Sequence, residues 1–326
     1  MNYLFDMLKK NNIGEPPWDY YFLENLPESE YPKYLAKLFK LNTGENLPLK
    51  YDFKIGNWVI DKNKCKTFNQ KLQWIKLYGV TDLMRKCTDK VTVRDYVREK
   101  IGEEYLKPVL QIIDKEASHS TLNTLFDKID FDKLPNSFVI KTNHGCKWHY
   151  IIKDKEAFLQ NKRLFEYVKR NITGWLEQDY SFWGGFELQY KGIKSQIIIE
   201  EFLGNEKEIP KEIEVYCFNG HPKIILKLWN DKNNNTCLYD ENLNYIDDLF
   251  FYADNKLLEK ADILTNNAFA LSQKISKDFL FVRVDWMINK NKLYFEELTY
   301  SPYSGFSKNL NIRFNKKLGK MIVLGR

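Results

Sequence analysis

The sequence predicts an α+β chain. Strand-like runs mix with single helices and do not follow a strict βαβ alternation. Two hairpins are marked, one by Asn219-Gly220 between residues 213–218 and 223–229, the other by residues 289–292 between 279–288 and 293–299. Leu257, Ala261, Leu264, Ala268, Leu271 and Ile275, spaced alternately four and three, form the apolar stripe of a long helix.

The remaining elements follow in order. Residues 1–60 are aromatic and Pro-punctuated, with a short helix around 31–41. Phe68, Leu72, Ile75 and Leu77 recur at nearly helical spacing over 67–78, and Gly79 supplies a stop. Val93, Val97 and Ile101 share one face of a helix over 89–101, closed by Gly102. Residues 108–113 read as a strand, as do 138–141 and 149–153, the latter two joined by a polar loop containing Gly145. A helix over 156–178 is interrupted near Gly174, and 196–202 is a buried strand that ends abruptly in Glu200 and Glu201.

The 326 residues carry 44 % hydrophobic and 15 % aromatic side chains, which supports a substantial core and excludes disorder. A net charge of +6 without a basic stripe argues against nucleic acid and fits a small anionic substrate better. No apolar run approaches a membrane span, and the start lacks the pattern of a secretory signal. Five widely spaced cysteines without a Cys-x-x-Cys pair argue for free thiols in a reducing compartment, so a cytoplasmic location is expected. His144 and His149 are too isolated to suggest a metal site.

The last hairpin carries the most chemistry. Arg283 and Asp285 leave one strand face, and Phe295, Glu297 and Thr299 share a face of its partner. A three-residue turn at Lys290-Asn291-Lys292 would set Asp285 opposite Glu297, with Cβ atoms about 4.5–5.5 Å apart. Two carboxylates that close call for a cation, and Mg²⁺ suits them. Arg283 would then stabilise an anionic transition state. A two- or four-residue turn would oppose Asp285 to Glu296, and a solvated ion-pair network is the plainer alternative. Lys141, at a strand end before Thr142-Asn143-His144-Gly145, could bind phosphate or merely cap its strand. Glu200-Glu201-Phe202-Leu203 could meet a nucleotide base or simply mark a strand surfacing.

Taken in order, several blocks resemble the TupA-like (teichuronopeptide-biosynthesis-like) branch of the ATP-grasp superfamily. They are residues 67–78 (TFNQKLQWIKLY), 89–97 (DKVTVRDYV), 138–145 (FVIKTNHG), 200–203 (EEFL), 217–220 (CFNG), 281–285 (FVRVD) and 297–306 (ELTYSPYSGF). The resemblance runs from about Thr67 to Leu324. It implies an ATP-grasp fold, two α+β subdomains clasping the nucleotide behind an atypical N-terminal region. The corresponding division is 1–88, an N-terminal region with substrate or partner contacts, then 89–206, a central subdomain, and 207–326, a C-terminal subdomain with the Mg site.

On the same basis Lys90 and Lys141 would contact phosphates, with Lys141 and Arg283 catalytic. Asn143, His144 and Gly145 would lie in the phosphate-covering loop. Glu200, Glu201, Phe202 and Leu203 would form the adenine hinge, with Glu206 or Glu208 toward the ribose, and Asp285 and Glu297 would hold Mg²⁺. Thr299 stands where many relatives carry a metal-binding Asn, and Glu214 where this branch commonly has Lys. The implied activity is an ATP- and Mg-dependent carboxylate–amine ligase, working through an acyl phosphate on a sugar acid or amino-acid carboxylate in capsular or exopolysaccharide biosynthesis. The implied partners are that carboxylate, an amine and other polysaccharide-assembly enzymes. A glycosyltransferase-like or phosphotransfer enzyme of the same pathway is the alternative, and a non-catalytic nucleotide-binding protein a third reading.

Overall fold

The computed structural model describes residues 23, 25–116, 120–183, 185–204, 210–229, 235–246, 255–256, 259–308 and 310–325. It begins with helix α1 (Tyr31–Thr43) and a small hairpin, β1 (Leu49–Asp52) and β2 (Asn57–Ile60). Three helices follow: α2 (Phe68–Tyr78), α3 (Asp82–Thr88) and α4 (Val93–Ile101). Thr67 caps α2 in a reciprocal capping box with Gln70, so the turn chemistry starts this helix where the apolar spacing does.

A four-stranded sheet comes next, in the order β3-β6-β4-β5: β3 (Val109–Ile113), β4 (Phe138–Thr142), β5 (His149–Ile152) and β6 (Ile197–Glu201), every pairing antiparallel. Between β5 and β6 lie α5 (Lys155–Gln160), α6 (Lys162–Leu176) and the single turn α7 (Tyr180–Trp183). The helical break sits at Asn161, which caps α6 through its side chain; the expected break at Gly174 is absent, because Gly174 is followed within two residues by the buried Trp175 and Leu176 and the helix carries through it.

The larger sheet has six strands, β10-β9-β8-β7-β11-β12. They are β7 (Lys211–Phe218), β8 (His221–Leu228), β9 (Asn235–Asp240), β10 (Asn255–Lys256), β11 (Phe281–Asn289) and β12 (Lys292–Thr299). Helix α8 (Ile263–Ile275) crosses it, shorter than the stripe predicts because Asp262 caps it through Thr265; Leu257 lies outside the described residues. Helix α9 (Ile312–Met321) packs back on α2. Asn219 and Gly220 both take positive φ (48° and 80°), the mirror-type turn their sequence signals.

Three apolar cores divide the chain. The largest joins α2–α4 to the six-stranded sheet, α8 and α9; a second joins the four-stranded sheet to α6; a third packs α1 and β2 against Phe182, Phe186 and Phe306. A cut at residue 88 therefore passes through the largest core, since Phe68, Leu72 and Ile75 share it with Val93 and Val97. Among the described residues, no helix is long and apolar enough to cross a membrane. The five cysteines are free thiols.

Candidate active site

The two larger sheets face each other across a cavity of about 410 Å³, within the size range of small-molecule sites. Strand alternation builds its walls. On the four-stranded sheet Phe138, Ile140, Tyr150 and Ile152 turn into the core with α6, while Val139, Lys141, His149 and Ile151 turn into the cavity. Register places Lys141 opposite His149 and Val139 opposite Glu200, which brings Glu200 diagonally beside Lys141. On the other sheet Val282, Val284 and Trp286 belong to the core, and Arg283 and Asp285 line the cavity.

A second lysine enters from outside the expected motifs. Leu106 bridges to Phe295 of β12, so Lys107 lies beside Glu296. Lys107 Nζ is 2.9 Å from Glu200 and also contacts Glu296; Lys141 Nζ is 2.7 Å from Glu200 and 3.7 Å from Glu296. Burial disfavours the Lys107 charge, but Glu200 and Glu296 outweigh it and raise its pKa. Lys141 is lowered, chiefly by burial with Lys107 and Lys90 nearby, although Glu200 pulls the other way. Burial would raise Glu200, yet the two lysines take it down to about 2. This is a polar quartet of zero net charge, spanning the two sheets.

The last hairpin reaches the expected pairing by a different route. Its turn has two residues, Lys290 and Asn291, both with positive φ (48° and 60°). Such a turn alone would oppose Asp285 to Glu296. A β-bulge intervenes: Trp286 pairs with Phe295 and Asp285 with Glu297, leaving Glu296 as the extra residue. The bulge also overturns the expectation that Phe295 shares a face with Glu297. Phe295 packs edge-on against Trp286 in the core, centroids 6.2 Å apart, whereas Glu297 and Thr299 face the same side as Asp285 and Arg283.

Arg283 donates from Nε and Nη2 to the two Asp285 oxygens, each at 2.7 Å, and its Nη1 lies 3.3 Å from Glu214. Tyr216 Oη donates to Glu214 at 3.0 Å. The Thr299 hydroxyl lies 3.0 Å from Asp285 and 3.2 Å from Glu297, between the two carboxylates. Burial, opposed by Arg283 and reinforced by Glu214 and Glu297, pushes the Asp285 carboxyl above the usual carboxylate range. Asp285 and Glu214 thus pair with one guanidinium, Glu297 joins Asp285 through the Thr299 hydroxyl, and Lys90 lies 3.9 Å from Glu297. Among the described residues no cage of three or more metal-ligating side chains is present. Two hard oxygen donors with a local excess of negative charge nevertheless fit Mg²⁺, which needs only one or two carboxylates from a protein.

The loop after β4 divides the residues expected there. Asn143 and His144 are fully buried and do not reach the cavity. Asn143 donates to Asp89 and to the Lys194 carbonyl, while His144 packs edge-on against Trp148 with a ring nitrogen 3.2 Å from the Gln178 carbonyl oxygen. Gly145 and the following Cys146, Lys147 and Trp148 line the cavity instead. Gly145 has φ +93°, and a Cβ there would come within 2.4 Å of the Trp148 ring, so only glycine fits this approach. Lys90 holds the loop from below: its N–H donates to the Asn143 carbonyl at 2.9 Å and its Nζ to the Gly145 carbonyl at 2.7 Å.

Glu200, placed at an adenine hinge in the sequence reading, instead directs its carboxylate to Lys107 and Lys141. Glu201, Phe202 and Leu203 follow it along the cavity wall. Glu206 and Glu208 lie outside the described residues. The sequence reading missed Lys107, whose one signal is a Lys-Pro step at the head of a strand. It named Glu296 only as an alternative partner of Asp285 and gave it no role of its own, because a bulge leaves no mark in strand periodicity.

The profile of the family described as TupA-like ATPgrasp matches residues 70–323. No curated protein matches the chain. Solved structures resemble it at low identity. D-alanine–D-alanine ligase from Bacillus anthracis shares 19 % identity over 79 % of this chain and 69 % of that one, with a TM-score of 0.41. The enzyme of the same name from Helicobacter pylori shares 12 % over 89 % and 83 %, with 0.42. L-amino acid ligase from Bacillus licheniformis shares 13 % over 73 % and 49 %, with 0.39. With the family profile covering most of its length, the chain belongs to the TupA-like ATP-grasp family and has the α+β ATP-grasp fold.

Proposed function

We propose that the protein is an ATP- and Mg²⁺-dependent carboxylate–amine ligase, acting on a sugar acid or an amino-acid carboxylate in capsular or exopolysaccharide biosynthesis. One observation carries the chemistry: Lys107, Lys141, Arg283, Asp285 and Glu297 all line a single cavity between two sheets. The lysines there suit polyphosphate oxygens, and the Asp285 and Glu297 carboxylates suit the metal that accompanies them. The polysaccharide setting rests on the family resemblance and on the chain's net positive charge, which favours an anionic substrate.

In this reading Lys107 and Lys141 orient the phosphates, and the Gly145–Trp148 loop covers them. Asp285 and Glu297 would hold Mg²⁺, with the Thr299 hydroxyl between them. Bound there, the ion supplies charge neutralisation at the phosphate oxygens. The substrate carboxylate displaces ADP at the terminal phosphorus. The amine then attacks the acyl carbon, and inorganic phosphate departs with loss of a proton from nitrogen. Arg283, fixed by Asp285 and Glu214, is placed to stabilise the tetrahedral oxyanion of that second step. The four-stranded sheet and the six-stranded sheet act as the two halves of the clasp, and residues preceding α2 are available for substrate or partner contacts.

The test is incubation with Mg·ATP, a panel of uronates and amino acids, and a panel of amines, followed by mass spectrometry and ADP assay. ADP and an amide in equal amounts support the ligase. Sugar transfer without ATP consumption, or a stable phosphorylated product, would replace it with a transferase.

A further inference from the structure

We propose that Glu296 is a positioning residue that stands in for nucleotide phosphates. It holds the ammonium groups of Lys107 and Lys141 and releases them when a polyphosphate arrives. The inference rests on the nucleotide reading above and extends it to a residue outside the expected phosphate- and metal-binding set.

Four observations support it. Glu296 is the residue that the bulge inserts, so the cross-strand ladder does not need it, and the bulge turns it toward the cavity beside Glu297. It reaches from β12 both to Lys107, which lies alongside that strand, and across the cavity to Lys141 on the four-stranded sheet. Two lysines against Glu200 and Glu296 balance to zero, so an anionic ligand meets no excess positive charge at this point unless one carboxylate yields. Of the two, Glu200 shares the four-stranded sheet with Lys141 and has its side chain 5 % exposed, whereas that of Glu296 is 23 % exposed. Glu296 is therefore the one able to swing away, and phosphate oxygens would take over its hydrogen bonds from the lysines.

Calorimetric titration of the wild type and Glu296→Gln with adenosine, ADP and ATP, each with and without Mg²⁺, tests this. Gln keeps the shape and removes the charge. The variant should bind ADP and ATP roughly tenfold more tightly, with adenosine unchanged, since only phosphates compete for the lysines. Its melting temperature without ligand should fall, because two buried cations lose a counter-charge. Unchanged or weaker ATP binding would overturn the proposal. So would equal tightening for adenosine, the mark of a merely structural change, or a loss confined to Mg²⁺-containing samples, the mark of a metal ligand. Should Glu296→Gln not fold, Glu296→Asp, which retains the charge but shortens the reach, should show the same phosphate-dependent tightening to a smaller degree. A wild type that binds neither ADP nor ATP would sink the nucleotide reading and this proposal together. Normal wild-type binding with no phosphate-dependent change in the variant would sink only the role of Glu296.

Discussion

At the scale of single residues, the site is an arrangement of buried charges whose values depend on their neighbours. Asp285 sits between a guanidinium that favours its charge and two carboxylates that oppose it. Asp285→Asn should leave the far-ultraviolet circular dichroism unchanged and reduce Mg²⁺-dependent ADP release about 100-fold or more. Undiminished turnover would remove Asp285 from the metal assignment. Lys107→Ala and Lys141→Ala should each weaken Mg·ATP binding by about 1.5–3 kcal/mol, as for a lost charge-assisted hydrogen bond. Unaltered affinity in titration calorimetry would reduce either lysine to a strand cap.

At the scale of elements, turns and a bulge decide which side chains meet. Both residues of the β11–β12 turn hold positive φ, which Lys tolerates poorly and which Asn-Gly would satisfy. Lys290→Asn with Asn291→Gly should raise the urea midpoint by the equivalent of about 0.5–1 kcal/mol without changing activity. A lowered midpoint would show that the native pair makes contacts worth more than the strain. Gly145→Ala should do the opposite, costing about 1–3 kcal/mol, since its Cβ would enter the Trp148 ring. The same denaturation experiment reads it, and a neutral result would mean the loop can shift to admit a methyl group.

At the scale of the whole molecule, ligand reports on the cavity and pH on the buried histidines in and beside it. Mg·ATP at 100 times its dissociation constant should stabilise the fold by about 2.7 kcal/mol, visible as a thermal shift abolished in Lys141→Ala. His144 and His149 are pushed down to about 4, both chiefly by burial, with Lys90 and Lys141 respectively adding to it. An unfolded histidine titrates near 6.5, so between about 6.5 and 4 the unfolded chain binds protons that the folded chain refuses. Their contribution to stability is complete above about pH 6.5 and is lost as the pH falls through about 4. Urea unfolding at a series of pH values should show that decline, and His149→Gln should make it shallower; an identical acid limb would assign the decline to other groups.

Local chemistry was enough to read much of this protein. The helical spacing over 67–78, the Asn219-Gly220 turn, the helical stripe ending at Ile275 and the strand parity that puts Arg283 and Asp285 on one face all act over a few residues. The order of motifs from residue 67 onward adds the family, because each block is a short contiguous pattern. What tertiary structure alone decided are the long-range meetings. Lys107 reaches the site because Leu106 happens to lie along β12, a contact across 189 positions from Lys107 to Glu296. Asp285 meets Glu297 through a bulge that compensates for a two-residue turn, and that bulge is fixed by Trp286 and Phe295 packing together in the core. Asn143 and His144 look like loop residues in sequence and are buried because Asp89, Gln178 and Lys194 arrive to bond them. Periodicity and turn propensity are properties of neighbours along the chain, whereas register shifts and charge quartets depend on which surfaces pack together, and packing is settled only when the whole core forms.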